Sequence, residues 1–430
     1  MTASSSSSIA RLTSSETNYA HFRAHHLVPN VPCIFPPSLI QHWRLFSLWF
    51  TPSSSDLDYE YLVRTYGSLP IDCIDCEAEG EAEEAEVSTF GELLALWKHG
   101  KGRKKYLKDW HLPLEVHRSA GGTRKGKEKV RDEVYEVEGV CLDDWMNEYE
   151  GNGREGKEDD FRFVYAGGGD TFTPLHRDVY CSYSISTQIS GRKLWYLFPP
   201  SCTSAFLPLI TQANREGRGV NCDEWSEEVK DKFRAKGMIE VWQEERETIF
   251  IPSGWYHSVH NLSHPTISLN HNWANSHNLP SIYSSLSEEA ARCRDAIIDV
   301  KELFIEKARR EGRASEGEGA WKGEWEEEVE GLVERSEGWS WRTFWKMIVN
   351  TLRNLEISRE ELGVRFEDSR WPIIPPHARP PTSFVIERVR PLVEQFRKRE
   401  EGEWKWLEGF GAVLSQVEEE LIRLSEVVET

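Results

Sequence analysis

Long hydrophobic runs are missing from this sequence of 430 residues. It has no stretch of about 18 apolar residues, so it predicts no transmembrane helix. Residues 1–18 are rich in Ser and Thr and contain no apolar core, and we expect a flexible tail there rather than a signal peptide. The eight cysteines are scattered, and without a secretory signal we expect reduced thiols. We therefore expect a soluble cytoplasmic protein, with the nucleus as the alternative.

An excess of positive charge is missing too. The chain has 52 Lys and Arg against 72 Asp and Glu, which gives a net charge of −20. This balance argues against nonspecific binding to duplex nucleic acid, which requires a basic surface. It suits a cationic partner better, although many acidic surfaces serve only solubility.

The pattern along the chain predicts a tail, a β-rich domain over 19–280 and a helical region over 281–430. Two insertions interrupt the domain. Six glutamates within 77–86 predict a solvated loop. Residues 118–131 are basic and glycine-rich, which favours a mobile insertion over a contact site for nucleic acid or peptide.

The first part of the domain shows helical apolar spacing and short β-type runs. We predict a helix over 38–49 with Ser38 as its N-cap, helices over 59–66 and 89–97, and strands over 71–75 and 106–110.

Short β-branched and aromatic runs separated by turn residues dominate 161–275 and predict an all-β barrel or sandwich. The runs lie at 161–165, 179–188, 193–198, 248–251, 258–262 and 266–270. The polar insert 201–237 has helical pieces near 202–213 and 224–235. Charged helical segments follow at 283–310, 322–354 and 382–428. The fold class is therefore α+β, with a β core and a helical C-terminal region.

Three side chains could form a metal site. His176 and Asp178 are two residues apart on a predicted strand, so they project from the same face. His257, in a Gly-Trp-Tyr-His sequence, could supply a second imidazole. Two histidines and one carboxylate are the facial triad of non-haem Fe(II) oxygenases. A lone His-x-Asp is usually an ordinary surface pair, and a complete triad could also hold a hydrolytic zinc.

Three further residues could bind a carboxylate of 2-oxoglutarate. Lys193 lies seventeen residues after His176, Thr173 lies three residues before it, and Tyr106 could add a phenol. Together they would make a charge-assisted site. Individually, such a lysine is more often exposed and such a threonine more often part of a turn.

Longer stretches carry a specific resemblance. Residues 161–167, 173–184, 191–200, 251–262 and 266–273 closely resemble the JmjC-domain dioxygenases, with further similarity at 27–33, 106–111 and 339–345. The resemblance implies a double-stranded β-helix (jelly-roll or cupin) core flanked by N-terminal helices, and a helical C-terminal body whose helices form a homodimer.

The resemblance also implies a role for each candidate residue. His176, Asp178 and His257 correspond to the Fe(II) ligands, and no catalytic residue is expected beyond this metal centre. The co-substrates would be O2 and 2-oxoglutarate, the latter bound by Lys193 and Thr173 with Tyr106 as a third contact. Asn272 would place an amide near the co-substrate. The resembling branch usually has Asn where this chain has Gln188, so the pocket volume would differ slightly.

The implied function is a 2-oxoglutarate-dependent protein hydroxylase, because the most similar branch hydroxylates a lysine of the class 1 translation termination factor. The first alternative is a demethylase of N-methyl-lysine or N-methyl-arginine, in histones or other proteins, which uses the same chemistry. The second is a non-catalytic cupin that binds protein. Cys73 and Cys76 form a CxxC without a second pair, so a structural zinc site is not expected. We expect neither direct nucleic-acid binding nor a membrane partner.

Overall fold

The computed structural model describes residues 9–52, 56–76, 87–119, 134–150, 161–216, 219–313, 319–357 and 374–429. The chain divides into two compact units. Unit 1 comprises Met1–Cys141, Asp159–Asp178 and Tyr183–Trp273, and unit 2 comprises Leu142–Glu158, Val179–Ser182 and Ala274–Thr430. The predicted loop at 77–86 and most of the predicted insertion at 118–131 lie outside the described residues.

Two β-sheets form the centre of unit 1. The strands are β1 (Ala10–Arg11), β2 (Cys33–Phe35), β3 (Cys73–Asp75), β4 (Lys105–Trp110), β5 (Arg162–Gly167), β6 (Phe172–Arg177), β7 (Tyr183–Ser190), β8 (Lys193–Phe198), β9 (Ile239–Gln243), β10 (Thr248–Ile251), β11 (Tyr256–Asn261) and β12 (Thr266–Trp273). The major sheet has the order β1-β2-β10-β7-β12-β5-β4-β3, and the minor sheet has the order β6-β11-β8-β9. Apart from the parallel pair β1–β2, neighbouring strands are antiparallel. This architecture confirms the predicted α+β jelly-roll.

Aromatic side chains join the N-terminal helix to the major sheet. Phe22 is fully buried, and its ring lies 5.3 Å from that of Phe35 on β2 and 4.8 Å from that of Phe250 on β10. Burial of such rings is a main source of folding free energy.

The α-helices of unit 1 are Tyr19–Phe22, Leu45–Leu48, Tyr59–Tyr66, Phe90–Lys98, Leu112–Ser119, Thr203–Arg215 and Glu227–Arg234.

The prediction of one helix over 38–49 is wrong. Pro37–Leu39 forms a 3₁₀ turn, and α-helix is confined to Leu45–Leu48. Pro37 opens a tight turn closed by the bond from the Ile40 N–H to the Pro37 carbonyl, and Ile40 (φ −116°, ψ 1°) then leaves the helical conformation, so no α-helix continues from this turn. Ser38 lies inside this turn and pairs with the Ser14 hydroxyl at 2.8 Å instead of capping a helix.

Other boundaries agree more closely with the predictions. The helix at Tyr59–Tyr66 is confirmed, and Thr89 caps the helix Phe90–Lys98 through a capping box with Glu92. The run predicted from 179 enters β7 only at Tyr183. Strand β9 was not among the predicted β runs, and the strand predicted to carry His176 and Asp178 is β6, which ends at Arg177.

Unit 2 is helical in its described residues. Its α-helices are Trp145–Glu150, Leu279–Ala296, Lys301–Arg310, Gly319–Glu337, Trp341–Asn354, Thr382–Arg397, Glu403–Trp406 and Phe410–Glu429. Buried ion pairs link three of them, because Arg294 lies 2.7 Å from Glu326 and 2.9 Å from Glu403. No helix among the described residues has the length and apolar character needed to cross a bilayer.

Candidate active site

Strand pairing in the minor sheet brings the two candidate histidines together. Strands β6 and β11 are antiparallel, and their register places His176 directly opposite His257. The ring centroids are 4.2 Å apart. Asp178 follows the end of β6, and its Oδ1 lies 4.0 Å from Nε2 of His176 and 3.9 Å from Nε2 of His257. One ligand atom from each residue lies within 4.8 Å of the others, so a single ion could bind all three.

Both imidazoles are in the form that a metal requires. Nδ1 of His176 lies 2.8 Å from the carbonyl of Pro174, which can only accept a hydrogen bond, so Nδ1–H donates and Nε2 carries the free lone pair. Burial lowers the pKa of His176 to about 4 and that of His257 to about 4. His176 keeps 39% of its side-chain surface accessible, so a ligand can approach it. Neutral imidazoles are metal ligands at physiological pH.

The carboxylate of Asp178 is held by polar neighbours. Burial raises its pKa, while the neighbouring imidazole of His176 and hydrogen bonds from Asn272 and Ser184 oppose that rise. Its Oδ2 atom is buried without a hydrogen-bond partner among the described residues. A buried, unsatisfied carboxylate oxygen is unfavourable unless a cation binds it. The donor set and this oxygen therefore fit a divalent metal ion.

Lys193 supplies a buried cation in the same unit. Its side chain is 3% exposed, and Nζ donates to the hydroxyl of Ser268 at 2.5 Å, which links β8 of the minor sheet to β12 of the major sheet. Burial lowers the pKa of the ammonium group to about 7, and no carboxylate of the described residues opposes this change. A buried ammonium group without a counter-ion is a fitting site for an anionic ligand.

Tyr106 and Thr173 are brought together as a pair. Their hydroxyls lie 3.0 Å apart, and Thr173 is on β6, three residues before His176. Tyr106 is buried, which raises its pKa to about 12 and keeps the phenol protonated as a donor. Asn272 lies beside Asp178 and receives a hydrogen bond from Ser184 at 3.4 Å.

Sequence reasoning missed several polar residues of the site. Ser268, Ser184 and the Pro174 carbonyl contact candidate residues, but serines and backbone carbonyls carry no recognisable motif. Gln188 is opposite Ser268 across β7 and β12, and its Oε1 is buried without a hydrogen-bond partner in the described part of the chain. Gln188, the position at which this chain differs from the similar JmjC branch, is therefore next to the residue that contacts Lys193.

The fold and the cluster together define a cupin-like protein with a two-histidine, one-carboxylate site. The chain belongs to the cupin-like domain family, whose family model matches residues 19–278.

Named relatives refine this class. The chain is 33% identical over 294 residues to the Homo sapiens protein named 2-oxoglutarate and iron-dependent oxygenase JMJD4. The match covers 65% of this chain and 64% of that protein. It is 27% identical to the Arabidopsis thaliana arginine-specific demethylase JMJ20, over 69% of this chain and 63% of that protein. It is 27% identical to JmjC domain-containing protein 1 of Schizosaccharomyces pombe, over 78% of this chain and 68% of that protein. The resemblance to JmjC-domain oxygenases is confirmed. The chain spans slightly less than two thirds of the JMJD4 relative's length.

Removal of one imidazole should abolish metal binding. We expect Mn²⁺, without O2, to raise the melting temperature of the wild-type protein, because a ligand that binds only the folded state contributes about 2.7 kcal/mol at a hundredfold excess over Kd. His176→Ala should eliminate this increase. His260→Ala is the matched control, because His260 lies on β11, the strand of His257, but stacks on Phe172. An equal increase in both variants would contradict the assignment of His176 as a ligand.

Proposed function

We propose that this protein is an Fe(II)- and 2-oxoglutarate-dependent protein hydroxylase. The observation that carries the proposal is the combination of the His176–Asp178–His257 cluster with the buried ammonium group of Lys193. A hydrolytic zinc site needs no buried cation of this kind. A 2-oxoglutarate oxygenase does, because the co-substrate has a second carboxylate remote from the metal. These features also disfavour a purely non-catalytic cupin.

The residues divide the work of binding. His176, Asp178 and His257 would hold the iron, and Lys193 would pair with the distal carboxylate of 2-oxoglutarate. The hydroxyls of Thr173 and Tyr106 would donate to the same carboxylate. When bound, iron with 2-oxoglutarate and O2 supplies an oxidant that can hydroxylate an unactivated C–H bond. The chain itself contributes position and charge.

Aromatic walls would keep water away from the reaction. Trp195 is 2% exposed, and its ring lies 5.7 Å from that of His257. Its indole N–H donates to Gln243 at 2.9 Å, which fixes the ring against the histidine. Exclusion of water strengthens the electrostatic contacts in a site and suppresses side reactions.

The proposed substrate is a lysine of the class 1 translation termination factor. Support comes from the resemblance to the branch that performs this reaction and from the similarity to proteins named JMJD4 oxygenases. The net charge of −20 is compatible with a lysine-bearing partner. Because termination takes place on ribosomes, the proposal implies a cytoplasmic protein.

A protein demethylase is the second candidate. The Arabidopsis thaliana relative is named an arginine-specific demethylase, and demethylation begins with hydroxylation of a methyl group by the same kind of metal centre. The two functions therefore differ in the side chain presented to the metal, which the reaction products reveal.

Loss of the buried cation should weaken co-substrate binding selectively. We expect Lys193→Met to raise the Kd of 2-oxoglutarate at least about tenfold, since hydrogen bonds to charged groups contribute about 1.5–3 kcal/mol. Mn²⁺ binding should persist. Lys230→Met is the matched control, because Lys230 is also buried but interacts with Tyr196 and Asp223. Unchanged affinity in Lys193→Met, measured by anaerobic calorimetry, would remove this lysine from the site.

The same calorimetry gives a pH prediction. The pKa of Lys193 is lowered to about 7, so at pH 8 the free amine is mostly neutral. A bound carboxylate favours the charged form, so binding at pH 8 should take up a proton and affinity should fall as pH rises above 7. The uptake is measured as the dependence of the binding enthalpy on the buffer's ionisation enthalpy. In the Lys193→Met variant, this proton uptake should be absent.

Mass spectrometry separates the two candidate functions. We expect a lysine of the purified termination factor to gain one oxygen atom, in a reaction that requires Fe(II), 2-oxoglutarate and O2. Asp178→Ala should give no product. Loss of a methyl group from a methylated lysine or arginine, with no oxygen retained, would instead establish the demethylase.

We also propose that unit 2 forms a homodimer through its last helix. Ile422 on the helix Phe410–Glu429 is an exposed apolar side chain that a partner could cover. Light scattering at micromolar concentration should give the mass of a dimer, and Ile422→Glu should give a monomer. Val63→Glu, also at an exposed helical valine, should leave the dimer intact. A monomeric wild-type protein would refute this proposal.

A further inference from the structure

A β-bulge in the major sheet changes the direction of one acidic side chain. In the antiparallel pair β4–β5, Leu107 is opposite Ala166, whereas Trp110 is opposite Val164. Lys108 and Asp109 therefore share the single partner position of Tyr165. Such bulges re-aim side chains and occur often beside active sites.

Asp109 is held in a specific orientation. Its φ angle is 51°, in the left-handed region that non-glycine residues adopt rarely and Asp tolerates better than most. The hydroxyl of Tyr165 donates a hydrogen bond to its Oδ1 atom. Within the described residues this neutral hydroxyl is its hydrogen-bond partner, and the charge of Asp109 also interacts with the neighbouring ammonium group of Lys108.

The orientation places Asp109 near the metal cluster. The ring of Tyr165 lies 6.5 Å from that of Tyr106, whose hydroxyl contacts Thr173 at 3.0 Å on the strand that carries His176. Asp109 is also near enough to Asp178 for the two carboxylates to repel each other. Tyr106 is buried whereas Asp109 is exposed, so solvent and ligands can reach the Asp109 carboxylate.

The neighbouring lysine is positioned differently. Lys108 lies over the ring of Tyr106, with Nζ 5.3 Å from the ring centroid, and is partly buried. The bulge thus presents one basic and one acidic side chain near the site, and the acidic one is the more exposed.

We propose that Asp109 is the specificity-determining residue that binds the cationic end of the substrate side chain. A lysine or arginine places its charge a few bonds away from the carbons that can be hydroxylated. An acid fixed at the accessible side of the site can bind that charge while the aliphatic part of the side chain reaches the metal. The inference rests on the proposed function only for its choice of a cationic substrate. Tyr165 acts as a positioning residue that holds the carboxylate.

The test uses a small cation as its probe. n-Butylammonium reproduces the end of a lysine side chain, and 1-butanol is its neutral counterpart. The full-length protein is loaded with Mn²⁺ and 2-oxoglutarate without O2, and the Kd of each probe is measured by ligand-detected NMR. We expect Asp109→Asn to weaken n-butylammonium about tenfold, the usual scale for one charged hydrogen bond, without a comparable loss of 1-butanol. Asp109→Glu should retain part of the affinity.

A matched acid serves as the control. Asp170 is exposed and forms an ion pair with Arg103, with 2.7 Å between its Oδ2 and Nε, so Asp170→Asn should bind both probes like the wild-type protein. Equal affinity of wild-type and Asp109→Asn protein for n-butylammonium would overturn the inference, and so would an equal loss of both probes.

The outcome is separable from the proposed function. Failure to bind Mn²⁺ and 2-oxoglutarate would refute the oxygenase, yet the same titration on the metal-free protein would still test Asp109. Conversely, hydroxylation of the termination factor with unchanged kinetics in Asp109→Asn would overturn the role of Asp109 alone.

Discussion

The site depends on the hydrogen-bonded register between β6 and β11. Because side chains alternate between the faces of a strand, a slip of one residue would turn one histidine away from the other. A register shift between His257 and Val259 lies directly beside this contact. The pairing on the side of β8 is continuous from Tyr256 to Asn261, so β11 is held on its other edge while it bends at the site. Sheet geometry, rather than a local loop, brings together ligands 81 residues apart in sequence.

Burial gives this site its chemistry at a cost in folding free energy. Lowering the pKa of Lys193 from 10.5 to about 7 corresponds to roughly 5 kcal/mol against the charged form, because each pKa unit is about 1.4 kcal/mol. Asp178 is also buried, with one oxygen unsatisfied. Groups in this state are common where a ligand supplies the missing partner, and they are poor contributors to stability alone. The cation and the carboxylate are unfavourable in the free protein for the same reason that they suit an anion and a metal ion.

Much of the fold was predictable because its signals are local. Alternating β-branched and aromatic residues predicted most core strands, and the capping residue Thr89 marked the start of its helix. The helix over 38–49 failed because its apolar spacing is also compatible with successive tight turns, which Pro37 initiates. The motif identified His176 and His257 as candidates, but the sequence contains no record of which strands are neighbours. Contacts such as Lys193–Ser268 cross between two sheets and were out of reach for that reason.

Depth and charge together separate the two ligands that the proposed reaction requires. Lys193 is almost completely buried, whereas Asp109 is exposed and held by Tyr165 through a bulge. An anion bound at the lysine would supply its missing counter-ion, but the cationic end of a protein side chain would lose its hydration there without a partner. At Asp109 the same cation keeps contact with water and gains a fixed carboxylate. Reversing the two ligands would place like charges together, so the charge arrangement itself opposes nonproductive binding.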